Sequence, residues 1–242
     1  KEFIMSLPTT TVPSFSVEIP STKETIRMRP FLVKEEKILL MALESENDNE
    51  IKNATLQILS NCIMTEGVDC FNLPIFDIEY LFLQLRAKSV SEIADPYIVC
   101  EECSKPIEIR IDLSKVKVDY SEEEKHTNNI LLEDDGKIGI ILKYPTLKTA
   151  FENNIVDNLD GSFEILVSCI DSIYTEEEVF AASDHTQEEL IEFVENLTSD
   201  QFEKILSFYK NMPSVRHVED CECSECGHKF KVEVRGIKDF FT

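Results

Sequence analysis

Two Cys-x-x-Cys pairs lying 123 residues apart constrain this chain more than any other feature. They are Cys100-Glu-Glu-Cys103 and Cys223-Ser-Glu-Cys226, the second followed by Gly227. Pro96-Tyr-Ile-Val99 leads into the first pair, and Ile107-Glu-Ile-Arg-Ile-Asp-Leu113 leaves it in strict alternation of apolar and polar residues. Val215-Arg-His-Val-Glu219 leads into the second, and Phe230-Lys-Val-Glu-Val-Arg235 leaves it the same way. Alternation marks a half-buried strand, so each pair is expected at the tip of a β-hairpin, as a zinc knuckle. Gly227 supplies a backbone that lets amides turn toward a thiolate. Two knuckles give four sulfurs, which is what tetrahedral zinc takes at about 2.3 Å from each. Cys100, Cys103, Cys223 and Cys226 are therefore the predicted ligands of one structural zinc per chain, a closed site with no open position for a substrate.

Other readings of the cysteines are weighed against this one. Two disulfides or four free thiols are the bland alternative, and disulfides are disfavoured without a secretory signal. A thiol redox centre needs a strand, the CxxC and then a helix, whereas strands follow both pairs here. Cys221 makes the run Cys-Glu-Cys-Ser-Glu-Cys and competes with Cys223. Cys223 is preferred, because CxxCG is the knuckle spacing and Cys221 falls on the incoming strand. His228 reads as a solvated neighbour rather than a ligand. Glu101, Glu102, Glu222 and Glu225 add negative charge around the thiolates, where zinc ribbons that read nucleic acid carry Lys and Arg.

The knuckles close what looks like two copies of one unit. Ile58-Leu-Ser-Asn-Cys-Ile63 matches Ile165-Leu-Val-Ser-Cys-Ile170 at four of six positions. Thr25-Ile-Arg-Met-Arg-Pro30 and Gly139-Ile-Ile-Leu-Lys-Tyr-Pro145 are each a strand running into a proline. The order in both halves is strand, proline, helix, helix with the shared cysteine, further helix, strand, CxxC, strand. The offsets of 115, 107 and 123 residues for proline, cysteine and knuckle are too long for a solenoid and differ as loop lengths do. The expected fold is α+β, with two pseudo-repeated lobes. Each is a helical cluster followed by a β-hairpin knuckle, and the knuckles join at one zinc-ribbon-like site. Residues 5–119 form the first unit, 120–136 an acidic linker and 137–242 the second. Cys62 and Cys169 then fill equivalent core positions as small buried hydrophobes, and Cys70 falls in a loop without a role.

Local signals fill in this outline. Ser16–Ile19 and Thr25–Arg29 read as a hairpin, and Lys34–Glu44 and Ile51–Met64 as helices, the latter with Ile51, Thr55, Ile58, Leu59, Cys62 and Ile63 on one face. Pro74 opens a helix over Ile75–Lys88 with Ile78, Phe82 and Leu85 inward. Ile138–Tyr144 reads as a strand and Ser162–Tyr174 as a helix capped by Ser162. Thr186-Gln-Glu-Glu189 and Thr198-Ser-Asp-Gln201 are capping boxes. After the second, Phe202, Ile205, Leu206 and Tyr209 form a stripe that ends before Pro213. Phe240 and Phe241, near the end of the sequence, either pack on the domain or anchor a partner. Lys1–Ile4, ahead of Met5, is set aside as upstream translation or a vector remnant.

Charge and composition narrow the function. Apolar residues are 43% of 242, enough for a core, and no apolar run nears the roughly 20 residues of a membrane span. No signal peptide is visible. Against 24 Lys and Arg stand 47 Asp and Glu, a net charge of −23. Such a surface repels phosphate backbones and anionic membranes, so the expected partners are proteins. His126, His185, His217 and His228 are scattered, no phosphate-binding Gly-rich loop, GxSxG or HExxH occurs, and the chain holds six glycines. The expectation is that the protein is not an enzyme.

The chain resembles the baseplate hub assembly family of T4-like contractile-tailed phages. The blocks that carry the resemblance are Val17-Glu-Ile-Pro-Ser-Thr22, Arg29-Pro-Phe-Leu-Val-Lys-Glu-Glu-Lys37, Asp77-Ile-Glu-Tyr-Leu-Phe-Leu-Gln-Leu-Arg-Ala-Lys-Ser89, the first knuckle, Leu142-Lys-Tyr-Pro145, and the closing CxxC with Gly236-Ile-Lys-Asp-Phe-Phe241. Cys221 is an extra beside the family's simple knuckle. The resemblance implies a non-enzymatic structural or chaperone-like factor for the central hub. It would work in the host bacterial cytoplasm during assembly, or in the virion tail baseplate, through contacts with other hub or tail proteins. Arg29 and Arg86 are read as salt-bridge anchors if acids face them. Arg86-Ala-Lys-Ser89 is a helix C-terminus whose cations favour the dipole, with a docking surface as the alternative. Two rival classes are a zinc-ribbon accessory of transcription or replication, marked by a basic face, and a thiol redox protein, marked by the absence of metal.

Overall fold

The computed structural model describes residues 11–45, 47–120, 127–133, 136–152 and 160–235. His126, the Glu122–Glu124 run and Phe240-Phe241 lie outside the described residues, as does Lys1–Ile4. The chain mixes helices and strands throughout, as an α+β fold does.

The first half opens with an antiparallel hairpin, β1 (Phe15–Glu18) and β2 (Thr25–Met28). Helices α1 (Val33–Glu44), α2 (Asp48–Cys62) and α3 (Ile75–Ser89) follow. Asn47 caps α2 by accepting the N–H groups of Asn49 and Glu50, satisfying donors that the helix itself leaves open. Val17, Ile26, Met28, Leu59, Phe82 and Leu85 meet in one core. Cys62 and Cys70 are buried in it too, so Cys70 has a packing role that its loop position did not reveal. Arg29 and Asp77 anchor this lobe. Arg29 donates to the fully buried carboxylate of Glu35 at 3.1 Å, and the same carboxylate accepts the Leu32 N–H at 2.8 Å. Buried Asp77 accepts the backbone N–H of Ser21 at 3.0 Å and its hydroxyl, tying the β1–β2 turn to α3.

Short strands carry the chain to the first knuckle and away from it. β3 (Ile93–Ala94), β4 (Tyr97–Val99), β5 (Pro106–Glu108), β6 (Ile111–Asp112) and β7 (Lys117–Asp119) make three separate pairings. The strand expected over Ile107–Leu113 is thus broken. β5 pairs with β4, then β6 pairs with β3, and Leu113–Lys115 is a 3-10 turn. The alternation survives the break, because Ile107, Ile109 and Ile111 are all buried while the chain moves from one sheet to the next. β7 then pairs with a strand of the second half.

The second half contains more sheet than its sequence suggested. β8 (Asn129–Leu131) lies within the stretch read as linker and pairs with β9 (Gly139–Leu142). After α4 (Leu147–Glu152) and α5 (Asp160–Ser168) comes β10 (Ile170–Tyr174), then β11 (Val179–Ala181). The sheet order is β11-β10-β9-β8. The helix expected over Ser162–Tyr174 therefore ends early. Ile170 and Ile173 are β-branched and gain pairing with β9, which outweighs a weak helix preference. Ser162 sits inside α5. Helices α6 (Gln187–Glu195) and α7 (Ser199–Lys210) start at Thr186 and Thr198, both forming the expected capping boxes. β12 (Ser214–Glu222) and β13 (Lys229–Arg235) form the long closing hairpin, and β12 also pairs with β7. Leu142, Val167, Ile170, Ile205 and Phe208 fill the second core.

One hydrogen-bonding pattern recurs. Arg29 N–H donates to Cys62 carbonyl at 2.9 Å, beside the bridge Met28–Ile63. Lys143 N–H donates to Cys169 carbonyl at 2.7 Å, beside the pair Leu142–Ile170. Both cysteines are buried, and burial pushes each thiol up to about 11. Between the two cores, Tyr144 packs edge-on against Phe76 of α3 at 5.1 Å and stacks on Phe208 of α7 at 5.6 Å.

Candidate metal centre

Each CxxC forms the tip of its hairpin, and the two tips share one set of backbone hydrogen bonds. In the first, Ser104 N–H donates to Cys100 carbonyl at 2.8 Å and Cys100 N–H to Lys105 carbonyl at 2.9 Å. In the second, Gly227 N–H donates to Cys223 carbonyl and Cys223 N–H to His228 carbonyl, both at 2.8 Å. The tight turn needs a left-handed residue at the fourth position after the first cysteine. Gly227 takes it at φ 73°, as its sequence position suggested, and Ser104 takes it at φ 57°.

The fold brings the two tips together. Cys100 and Cys226 sulfurs lie 3.8 Å apart, Cys103 and Cys223 sulfurs 3.7 Å, and all four within 4.8 Å of one another. A tetrahedron with about 2.3 Å metal–sulfur bonds has edges of about 3.8 Å. The residues therefore fit a single zinc-sized ion. All eight cysteines are free thiols. Cys100 and Cys223 are buried against Ile98, Ile107 and Phe230, Cys103 is half-buried and Cys226 exposed. Among the described residues this is the one group of three or more His, Cys, Asp or Glu side chains positioned to hold a metal.

Electrostatics make the cluster a poor resting place for four thiols alone. The Cys226 and Glu225 backbone N–H groups point at the Cys223 sulfur and lower its pKa to about 7. Cys226 receives the His228 N–H, yet desolvation and the neighbouring Cys223, Cys103 and Cys100 push it up to about 12. Cys103 receives the Lys105 N–H, yet desolvation and the neighbouring Cys223 and Cys100 push it up; sulfurs this close resist ionising together without a cation among them.

Cys221 stands apart. It is half-buried on β12 with its sulfur 3.8 Å from Glu219 carbonyl, packed against a core that includes Leu83, Ile111 and Val215. His228 stacks on Phe230 at 5.6 Å and contributes only its backbone to the knuckle. Glu101, Glu102, Glu222 and Glu225 are all exposed around the site. Lys105 was not singled out from sequence; it pairs with Glu225 at 2.6 Å, one knuckle to the other. Only tertiary proximity could reveal that contact. Elsewhere, His185 lies beside Glu189 and His217 beside Glu219.

Fold and site together describe an α+β protein in which, among the described residues, a four-cysteine cluster joins the two halves of the chain. The family model described as T4 bacteriophage base plate protein matches residues 12–242, and the chain belongs to that family. It is 25% identical over 227 residues to the baseplate hub assembly protein gp26 of Enterobacteria phage T4, covering 94% of this chain and 96% of that protein. No solved structure matches.

Two of the sequence blocks that carry the resemblance touch. Ser89, at the end of Arg86-Ala-Lys-Ser, accepts the backbone N–H of Phe31, from Arg29-Pro-Phe, at 3.0 Å. Lys88 pairs with Glu92 and Arg86 reaches Ser91 carbonyl. These contacts give both blocks a structural use at the α3 C-terminus. No described helix is long and apolar enough to cross a membrane.

Proposed function

We propose that this chain is a non-enzymatic, chaperone-like assembly factor for the central hub of a T4-like phage baseplate. In this reading it acts through protein contacts in the host cytoplasm during assembly or in the tail baseplate itself. The observation that carries it is the match to a baseplate hub assembly protein over nearly the full length of both chains.

The zinc reading belongs to the same proposal. Cys100, Cys103, Cys223 and Cys226 would hold one zinc, which supplies a rigid tetrahedral crosslink and no catalysis. Two related lobes, 5–119 and 137–242 with the 120–136 connection between them, would each contribute one knuckle. The matched hydrogen bonds of Arg29 to Cys62 and Lys143 to Cys169 favour a duplicated origin. Acids around the cluster argue against a zinc-ribbon reader of nucleic acid.

Native mass spectrometry of purified protein tests the metal: one zinc per chain, lost in both Cys100→Ser and Cys226→Ser. Metal surviving either substitution would reject the shared site, and absence of metal would restore the thiol redox alternative. Sedimentation of baseplate intermediates from cells infected with phage lacking this chain tests the role. Hub intermediates should be missing, and normal baseplates would overturn the assignment.

A further inference from the structure

We propose that the outer face of the first knuckle hairpin, formed by Tyr97, Val99 and Pro106, is where this chain docks a baseplate protein, through a segment bearing apolar side chains flanked by Lys or Arg. The proposal rests on the assembly reading above and adds to it a surface and a partner chemistry.

The second hairpin serves as an internal control. Counted from the first cysteine of each knuckle, the two hairpins have the same register. Val99 pairs with Pro106 and Tyr97 with Glu108 in β4–β5; Glu222 pairs with Lys229 and Asp220 with Lys231 in β12–β13. The inward positions are alike in kind, Ile98 and Ile107 in one, Cys221 and Phe230 in the other. Only the outward faces differ. The second carries two cross-strand ion pairs, Lys229–Glu222 at 3.4 Å and Lys231–Asp220 at 3.6 Å, as a face meant for water does. The first carries Tyr97 and Val99, each 64% exposed, next to exposed Pro106. Single exposed apolar residues are ordinary. Three adjacent ones, where the same hairpin elsewhere in the chain holds four charges, indicate a covered face. The tyrosine among them is the residue type that anchors interfaces.

Charge selects the occupant. Glu101 and Glu102 stand at the tip and Glu108 on the face, all exposed, against one cation, Arg110, further along the chain. Lys105 is turned to Glu225. A partner segment with Lys or Arg beside its apolar residues complements this rim. A second copy of the chain would bring the same acids and a further −23, which disfavours self-association.

The test uses the full chain and purified baseplate proteins of the same phage, each immobilised in turn. The key variant, Tyr97→Asp with Val99→Glu, Pro106→Lys and Glu108→Lys, copies the second hairpin's outward residues onto the first. Near-UV circular dichroism checks its fold. Tyr97→Ser with Val99→Thr is the milder variant should the graft not fold. At least one baseplate protein should bind the wild type, tenfold or more weaker to the graft and fivefold or more weaker to the milder variant. Binding should also weaken as salt rises from about 50 to about 300 mM, as an interface with charge complementarity does. Binding within twofold of wild type in both variants, binding indifferent to salt, or a wild-type dimer that the graft dissolves would each overturn the proposed face or its occupant. If no baseplate protein binds the wild type, the assembly reading falls with it. Binding that survives the variants defeats only this surface.

Discussion

At the scale of single residues, the most consequential contact is the Arg29–Glu35 pair. Glu35 is fully buried and would prefer to be neutral. Burial raises its carboxyl, but Arg29, the Leu32 N–H and Lys34 together outweigh burial and hold it below its ordinary value of 4.5. A carboxyl depressed in the fold stabilises above that value, and the contribution is lost as pH falls through the folded pKa. Arg29→Met leaves the charge buried with poorer compensation and should cost about 2–4 kcal/mol at pH 7. The loss should shrink near pH 3, where Glu35 can take a proton. Urea unfolding at both pH values measures this, and equal losses would show that Arg29 acts through packing. The sequence suggested Arg29 as an anchor but could not name its acid, because Glu35 is one of many nearby carboxylates and only α1 geometry turns it inward.

At the scale of elements, the knuckle turns are the features that local chemistry dictates most closely. Gly227 adopts a left-handed backbone, and a Cβ there would meet nothing within 4 Å. Gly227→Ala should therefore cost about 1–2 kcal/mol from backbone conformation alone. Ser104 pays a similar penalty at the matching position, so Ser104→Gly should stabilise the first hairpin by about 0.5–1 kcal/mol. Thermal unfolding of the two variants should move in opposite directions; a shift of the same sign would contradict the shared turn. The sheet makes a second demand. A Cβ at Gly139 would collide with the Tyr174 ring and hydroxyl, so Gly139→Ala should cost about 1–3 kcal/mol, read by the same measurement, as Tyr174 is displaced. Most helices and both knuckle hairpins were legible because capping boxes, Pro74 and alternation act within a few residues. β10 was not. Ile-Leu-Val-Ser-Cys-Ile-Asp-Ser-Ile reads as helix by itself, and only pairing with β9 turns its second half into a strand.

At the scale of the whole molecule, the halves meet in more places than the cysteine cluster. β7 pairs with β12, Leu147 enters the first core, Val215 packs with Leu83 and Ile111, and Tyr144 lies between Phe76 and Phe208. Removing a bound metal should therefore loosen the knuckles without separating the lobes. After chelation, hydrogen exchange should speed across residues 97–108 and 218–231, while amides of α2, α3 and α7 stay protected. Global unfolding on chelation would mean that the metal carries the fold, as in small zinc domains.

What the sequence by itself determined is local: the two CxxC tips, the capped helices and the acidic charge balance. These rest on interactions among residues close in the chain, so their signals are readable in order. What only the tertiary structure decided is which distant parts meet. It brought Cys100 to Cys226 and Cys103 to Cys223, placed Lys105 beside Glu225, and turned one hairpin's charged face and the other's apolar face outward in the same register. Those outcomes depend on how parts of the chain more than a hundred residues apart pack together, and no short-range pattern encodes that.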